Sequence, residues 1–182
     1  MTYPTRKDIE GQRARGFDPT VIEEQTALCR RGELAEEIKH EIRRAFAGVQ
    51  LGAGIGMWEA QGIDDYADAA TCAAYREKDE KDDWSAIAVA DLNRCYSSPA
   101  FFDAEGMRFH LPAFLLADLD GQYDQGMTFN LTQTSQLETQ FAQLDAAQRE
   151  AVRRYLAFIE ADPDFVWDRE HIQRALAGYW AR

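Results

Sequence analysis

The chain is poor in the residues that most often announce chemistry. It has three cysteines and three histidines among 182 residues, and no C-x-x-C pair. An odd set of thiols disfavours a secreted disulfide framework and fits a reducing cytoplasm. Cys29, Cys72 and Cys95 are then expected to be small apolar residues in or near the core. No apolar run reaches the ~18 residues of a membrane span, and the polar start, Met1 to Asp8, lacks the apolar stretch of a secretory leader. There is no G-x-S-x-G and no local catalytic-cysteine signature. These absences exclude no enzyme outright, but they favour a non-enzymatic reading.

Basic residues are scarce where acids are common. The formal net charge is -12, from 32 Asp+Glu against 20 Lys+Arg. By segment, residues 1–31 carry net +1, 32–58 net -1, 59–83 net -6, 84–145 net -6 and 146–182 net 0. The whole excess therefore lies in residues 59–145. Such a region repels nucleic acid at long range and attracts basic partners, besides keeping a protein in solution. Arg149, Arg153 and Arg154 form the one basic stripe, too short to offset the net charge.

What is present is a helical pattern in a chain with 46% hydrophobic and 12% aromatic residues. Leu34, Ile38, Ile42, Ala45, Phe46 and Val49 recur at helical spacing behind Gly32. Glu33, Glu36 and Glu37 early and Arg43 and Arg44 late suit the helix dipole. A second helix is expected from about Gly62 to Lys78, with Ile63, Tyr66, Ala67, Ala70, Ala74 and Tyr75 inward. A third is expected behind Asp83, with Trp84, Ile87, Ala88, Leu92 and Cys95 as its stripe. Ser98-Pro99 signals a short helix to Ala104, and Met107 to Leu111 alternates as if extended. Pro112 to Asp120 reads as a helix buried on several sides, and Met127, Phe129 and Leu131 as a short strand. Asp145 and Gln148 form a capping box for Ala146 onward, and Asp168 caps the last helix. The expectation is an all-α or α-rich single domain of six or seven packed helices with at most a small strand pair. Residues 1–31 are expected to form a loosely docked arm, and residues 32–182 the globular domain.

Several constellations test this reading. Gly52-x-Gly54-x-Gly56 lacks the G-x-G-x-x-G spacing and a Walker lysine, so it reads as a flexible turn. Asp64-Asp65-x-x-Asp68 matches a magnesium-binding pattern if one helix face carries all three, but no second acidic motif accompanies it. Glu37-x-x-His40 matches half of a di-iron bundle motif, and Asp168-x-x-His171 is at best a degenerate second half. Asp118-x-Asp120-Gly121 aligns with a calcium loop only by placing Leu116 and Met127 at ligand positions. No metal and no cofactor are therefore expected.

The run Phe101-Phe102-Asp103-Ala104-Glu105-Gly106-Met107-Arg108-Phe109-His110-Leu111-Pro112-Ala113-Phe114-Leu115-Leu116, with Trp84 before it and Asp145 to Leu156 after it, carries a resemblance. It is similar to a bacterial family of unknown function with the signature F-x-x-E-G-x-R-F-x-L-P-A-F/Y-L, over residues 34–160. His110 departs from that signature, standing where an aromatic such as tyrosine is expected. The resemblance implies a bacterial cytoplasmic protein with an α-rich fold and implies no chemistry.

Two functions of different class follow. The first is a binding module whose acidic residues, Asp64, Asp65 and Asp68 among them, meet a basic protein; an immunity-type protein that neutralises a basic toxin is its specific form. The second is an enzyme with a pocket at Glu105, Arg108 and His110. A homo-oligomer built on an apolar patch at Tyr179 or Trp180 is a third possibility.

Overall fold

Every regular element among the described residues, 3–182 of the computed structural model, is helical. Ten α-helices follow in order: α1 (Arg6–Ala14), α2 (Pro19–Ala45), α3 (Met57–Asp64), α4 (Ala69–Arg76), α5 (Val89–Arg94), α6 (Ala104–Leu119), α7 (Thr128–Thr132), α8 (Leu137–Gln140), α9 (Ala146–Glu160) and α10 (Arg169–Ala177). The all-α expectation holds. The count exceeds six or seven because several stripes break into short pieces. The stripe behind Asp83 is a 3-10 turn, Trp84–Ala86, followed by α5, and Ser98–Ala100 is another such turn.

Where a strand was expected, helix forms. Met127 and Leu131 are both buried while Phe129 between them is 61% exposed, the burial pattern of an i, i+4 pair on α7. Met107 to Leu111 also belongs to a helix. The Asp103 carboxylate accepts the Gly106 N–H at 2.8 Å and starts α6 there. Pro112 then sits inside α6. Having no N–H, it leaves one carbonyl of the preceding turn unbonded but does not begin a new helix. The apparent alternation reflects a helix buried on nearly every side, where most positions are apolar whatever their phase.

The N-terminal segment is docked rather than loose. Helix α2 runs unbroken through residues 31 and 32, so the expected arm–domain boundary falls inside it. Gly32 is a packing site: a Cβ there would strike the Tyr3 ring. Arg6 pairs with Glu33, Ile9 is buried, and Arg31 bonds Asp162 at 2.6 Å while lying over the Phe158 ring. Because α2 begins at Pro19, Glu33, Glu36 and Glu37 lie in mid-helix, not in a first turn. Arg43 and Arg44 do lie in the last turn.

The core gathers around α6, with α2 and α9 packed together beside it and α10 against α9. Buried polar groups tie these helices. Gln148, 1% exposed, completes the expected capping box with Asp145, accepts from Arg108 Nε on α6 at 3.2 Å and donates to the Ala45 carbonyl of α2 at 3.2 Å. Asp168 stands at the start of α10 as expected, but its carboxylate does not bond the helix. Trp84 Nε1 donates to the Phe46 carbonyl at 2.8 Å, and Trp180 Nε1 to the Leu131 carbonyl at 2.8 Å. Arg149 and Arg153 reach the carbonyls of Tyr179 and Trp180 and so hold the C-terminal turn onto α9. None of the described helices is long and apolar enough to cross a membrane.

Trp180 is fully buried and anchors the last turn. Trp180→Ala is expected to cost about 3–5 kcal/mol, read as a fall in the midpoint of urea unfolding. A loss under about 1 kcal/mol would show that the C-terminal turn is not part of the core.

Candidate functional site

The three aspartates of the D-D-x-x-D pattern do not share one helix face. The helix expected over 62–78 is broken between α3 and α4, and the break falls among these residues. Asp65 closes α3, and Asp68 opens α4 by accepting the Thr71 N–H at 2.8 Å. Between them Tyr66 adopts φ 56, the left-handed region that side chains bearing a Cβ disfavour. Its N–H still donates to Ile63, and Ala67 N–H to Gly62, so the turn is closed by backbone bonds. The ring is 96% exposed and Ile63 beside it 37% exposed, where sequence spacing placed both inward. Ala70 and Ala74 are exposed as well.

The two short helices are clamped together from behind. Arg76 of α4 pairs with Glu59 of α3 at 2.7 Å and donates to the carbonyls of Gly52 and Gly54. The glycine run is therefore tied down. A Cβ at Gly54 would meet the Gly106 backbone and Glu105, and one at Gly106 would meet the Ile55 carbonyl. These glycines permit contact between a loop and α6; they do not cradle a phosphate.

The remaining carboxylates of the turn are partly engaged at the surface. Asp64 accepts from the Ser97 hydroxyl at 2.7 Å and Asp65 from Gln61 at 3.1 Å. Neither forms an ion pair with a described residue. Of the ion pairs among the described residues, only those of Glu59, Asp120 and Glu138 use a carboxylate from 59–145. Other pairs join α2 to its neighbours, such as Arg154 with Glu37 and Glu41.

Glu105, Arg108 and His110 leave α6 in different directions. Glu105 lies against the glycine loop, and Arg108 bonds Gln148 of α9 instead of pairing with Glu105. His110 is 1% exposed, stacked on Phe102 at 4.5 Å and edge-on to Phe109. It fills the place of an aromatic. Burial pushes its imidazole down to about 4, against smaller upward effects from the Gly106 carbonyl and Asp103. Cys95 is buried too, and desolvation pushes its thiol up to about 12, which removes it as a nucleophile at neutral pH.

The half di-iron motif stays on the surface. Glu37 and His40 are exposed and line an open groove of about 1000 Å³ between the N-terminal segment, α2 and the end of α6. In that groove Lys39 bonds both Glu36 and Asp120. No group of three or more His, Cys, Asp or Glu among the described residues is arranged to hold a metal. The apolar patch expected at the C-terminus is not presented, since Trp180 is buried and Tyr179 lies half-buried under Arg149.

A family model described as a family of unknown function, DUF6714, matches residues 34–182, and the chain belongs to that family. No curated protein and no solved structure matches the chain. The match starts inside α2 and takes in α3 to α10.

Two measurements check this geometry. Tyr66→Gly relieves a left-handed residue that makes no burial, so it is expected to raise stability by about 0.5–1 kcal/mol in urea unfolding; a loss would mean that the ring holds the turn. His110 titrates lower when folded than its ordinary 6.5. Its contribution is therefore full above about 6.5 and is lost as pH falls toward about 4, on the order of 3 kcal/mol. His110→Phe should flatten the pH dependence of stability in that window. An unchanged slope would contradict a buried neutral imidazole.

Proposed function

We propose that this member of the family is a non-enzymatic binding module that receives a basic protein partner on its acidic surface, centred on the turn between α3 and α4. The observation that carries the reading is Tyr66, held in a left-handed turn at 96% exposure between Asp65 and Asp68. Left-handed tyrosine costs stability, and such strain concentrates where a surface is used. Tyrosine is also among the residues that supply most interface energy, because it adds large contact area with little conformational freedom to lose. Carboxylates around it would steer a cationic partner and fix its register.

Charge accounting supports the same partner. Arg31 of α2, Arg76 of α4 and Arg154 of α9 are engaged within the fold by Asp162, Glu59 and Glu41, and Arg149 of α9 by a C-terminal carbonyl, while Arg43 and Arg44 at the end of α2 stay exposed. The surplus acid of residues 59–145 has few internal cations to meet. An immunity-type role, in which the acidic face neutralises a basic toxin, is the specific form of this proposal. The three cysteines are free thiols, which supports a reducing cytoplasmic setting, bacterial by the family resemblance.

The test is affinity capture from source cells with wild-type chain and with a D64N/Y66A/D68N triple variant, at low and high salt. A basic protein held by wild type at low salt, released by high salt and missed by the variant is expected. Equal capture by both chains, or a partner indifferent to salt, would overturn the proposal.

A further inference from the structure

A small cavity of about 220 Å³ lies at the opposite end of α3 from the acidic turn. Trp58, Lys78, Asp79, Glu80, Asp91 and His110 line it. Its chemistry follows from which of their atoms are already used. Asp79 is 7% exposed and accepts the N–H groups of Trp58 at 2.6 Å and Glu59 at 3.3 Å, so it caps α3. Gly56 is required next to it, because a Cβ there would overlap that carboxylate. Glu80 uses Oε1 for the N–H groups of Lys81, Asp82 and Asp83, which leaves Oε2. Asp91 in the first turn of α5 has no ion pair.

His110 supplies the observation that the acids alone do not. Its Nδ1 lies 2.7 Å from the Gly106 carbonyl, which requires a proton on Nδ1. A neutral ring has only that one proton, so Nε2 is an acceptor, and it has no hydrogen-bond partner among the described residues. An acceptor on a side chain 1% exposed, in the wall of a polar cavity, calls for a donor.

The inner wall thus offers acceptors: Asp91, the free oxygen of Glu80 and His110 Nε2. Among the lining residues the cation is Lys78, whose Nζ lies over the rings of Tyr75 at 4.5 Å and Trp58 at 5.8 Å rather than in an ion pair, and the Arg94 guanidinium lies over the Trp58 ring at 5.2 Å. An ammonium on aromatic faces is already part of the site. Anions are repelled by the carboxylates, and a nucleotide or drug-sized ligand needs about 300 Å³ or more. An ammonium group has three donors and no acceptor.

We propose that this cavity binds a primary alkylammonium compound, with Asp91 and His110 Nε2 accepting its protons and Trp58 covering its alkyl stem. The site is independent of the basic-partner surface. The same head group is carried by a free amine and by a lysine side chain, and the probes separate the two.

The experiment titrates the full chain at pH 7 with n-butylammonium, n-butanol, butyrate and an N-acetyl-lysine amide. Binding is read by calorimetry and by the His110 Nε2 nitrogen resonance. Butylammonium is expected to bind saturably and to move the Nε2 resonance, with butanol and butyrate inert. Asp91→Asn should weaken it about tenfold, and Lys78→Met, which removes the competing cation, should strengthen it several-fold. Equal binding of the lysine amide would assign the site to a protein side chain, and its absence to a free amine; either outcome keeps the ammonium chemistry. No saturable movement at His110, or butanol acting as well as butylammonium, would overturn the proposal. The wild-type resonance gives that answer even if a variant fails to fold.

Discussion

A helix buried on nearly every side must satisfy its polar side chains without water, and α6 sets this demand for the whole molecule. Its polar side chains find partners on other elements or within α6 itself. Arg108 turns to Gln148, His110 to the Gly106 carbonyl, and Asp118 accepts both the Tyr155 hydroxyl and the Met127 N–H at 3.0 Å. Burial holds the Asp118 carboxyl above its ordinary range and the Tyr155 phenol well above its own. The bonds that leave α6 fix the register of its neighbours. Gln148 places α9, the Asp118 bonds place the turn into α7, and contact with Gly106 places the glycine loop. The motif around α6 is therefore a packing device before it is anything else.

That device also decides where charge is left over. Arg31, Arg76 and Arg154, one each on α2, α4 and α9, serve as ties across the fold, so their charge is met internally. Carboxylates in residues 59–145 serve more often as caps, accepting backbone N–H groups at Asp68, Asp83, Asp103 and Asp145. Capping satisfies a helix end but does not cancel a unit charge. The surplus negative charge is a consequence of how helix starts were built in this stretch. Of that surplus, Asp64, Asp65 and Asp68 lie in the turn that carries the exposed Tyr66.

Sequence reading located what periodicity and caps encode. The all-α class, the Asp145–Gln148 capping box and the Arg43–Arg44 helix end were legible because each depends on neighbours three or four residues away. Gly32 misled because a glycine within a helix looks like a boundary; only Tyr3, remote in sequence, explains it. The 62–78 stripe misled because its alanines fit a helix in any phase, and the break at Tyr66 has neither glycine nor proline to mark it. Asp64, Asp65 and Asp68 were legible as a surface feature, but their orientation was not. His110 was visible as a departure from an aromatic position. Its stacking on Phe102 shows that the departure kept the shape and changed the hydrogen-bonding capacity.

Helix α3 joins the two candidate surfaces. It has eight residues, so its ends lie about 12 Å apart. At its N-terminus Asp79 supplies the cap and forms part of the cavity wall. At its C-terminus the chain turns left-handed at Tyr66 and enters α4. A helix this short has too few internal bonds to hold itself. It is kept in place by Asp79 at one end, by the Arg76–Glu59 pair along its side and by the backbone bonds of the turn at the other. These ties are polar, the Asp79 cap being buried, and Met57 and Ala60 add apolar burial in the core, whereas α6 is buried on nearly every side. The turn that presents the exposed tyrosine thus depends in part on interactions sensitive to charge and solvent, and α6 mainly on burial.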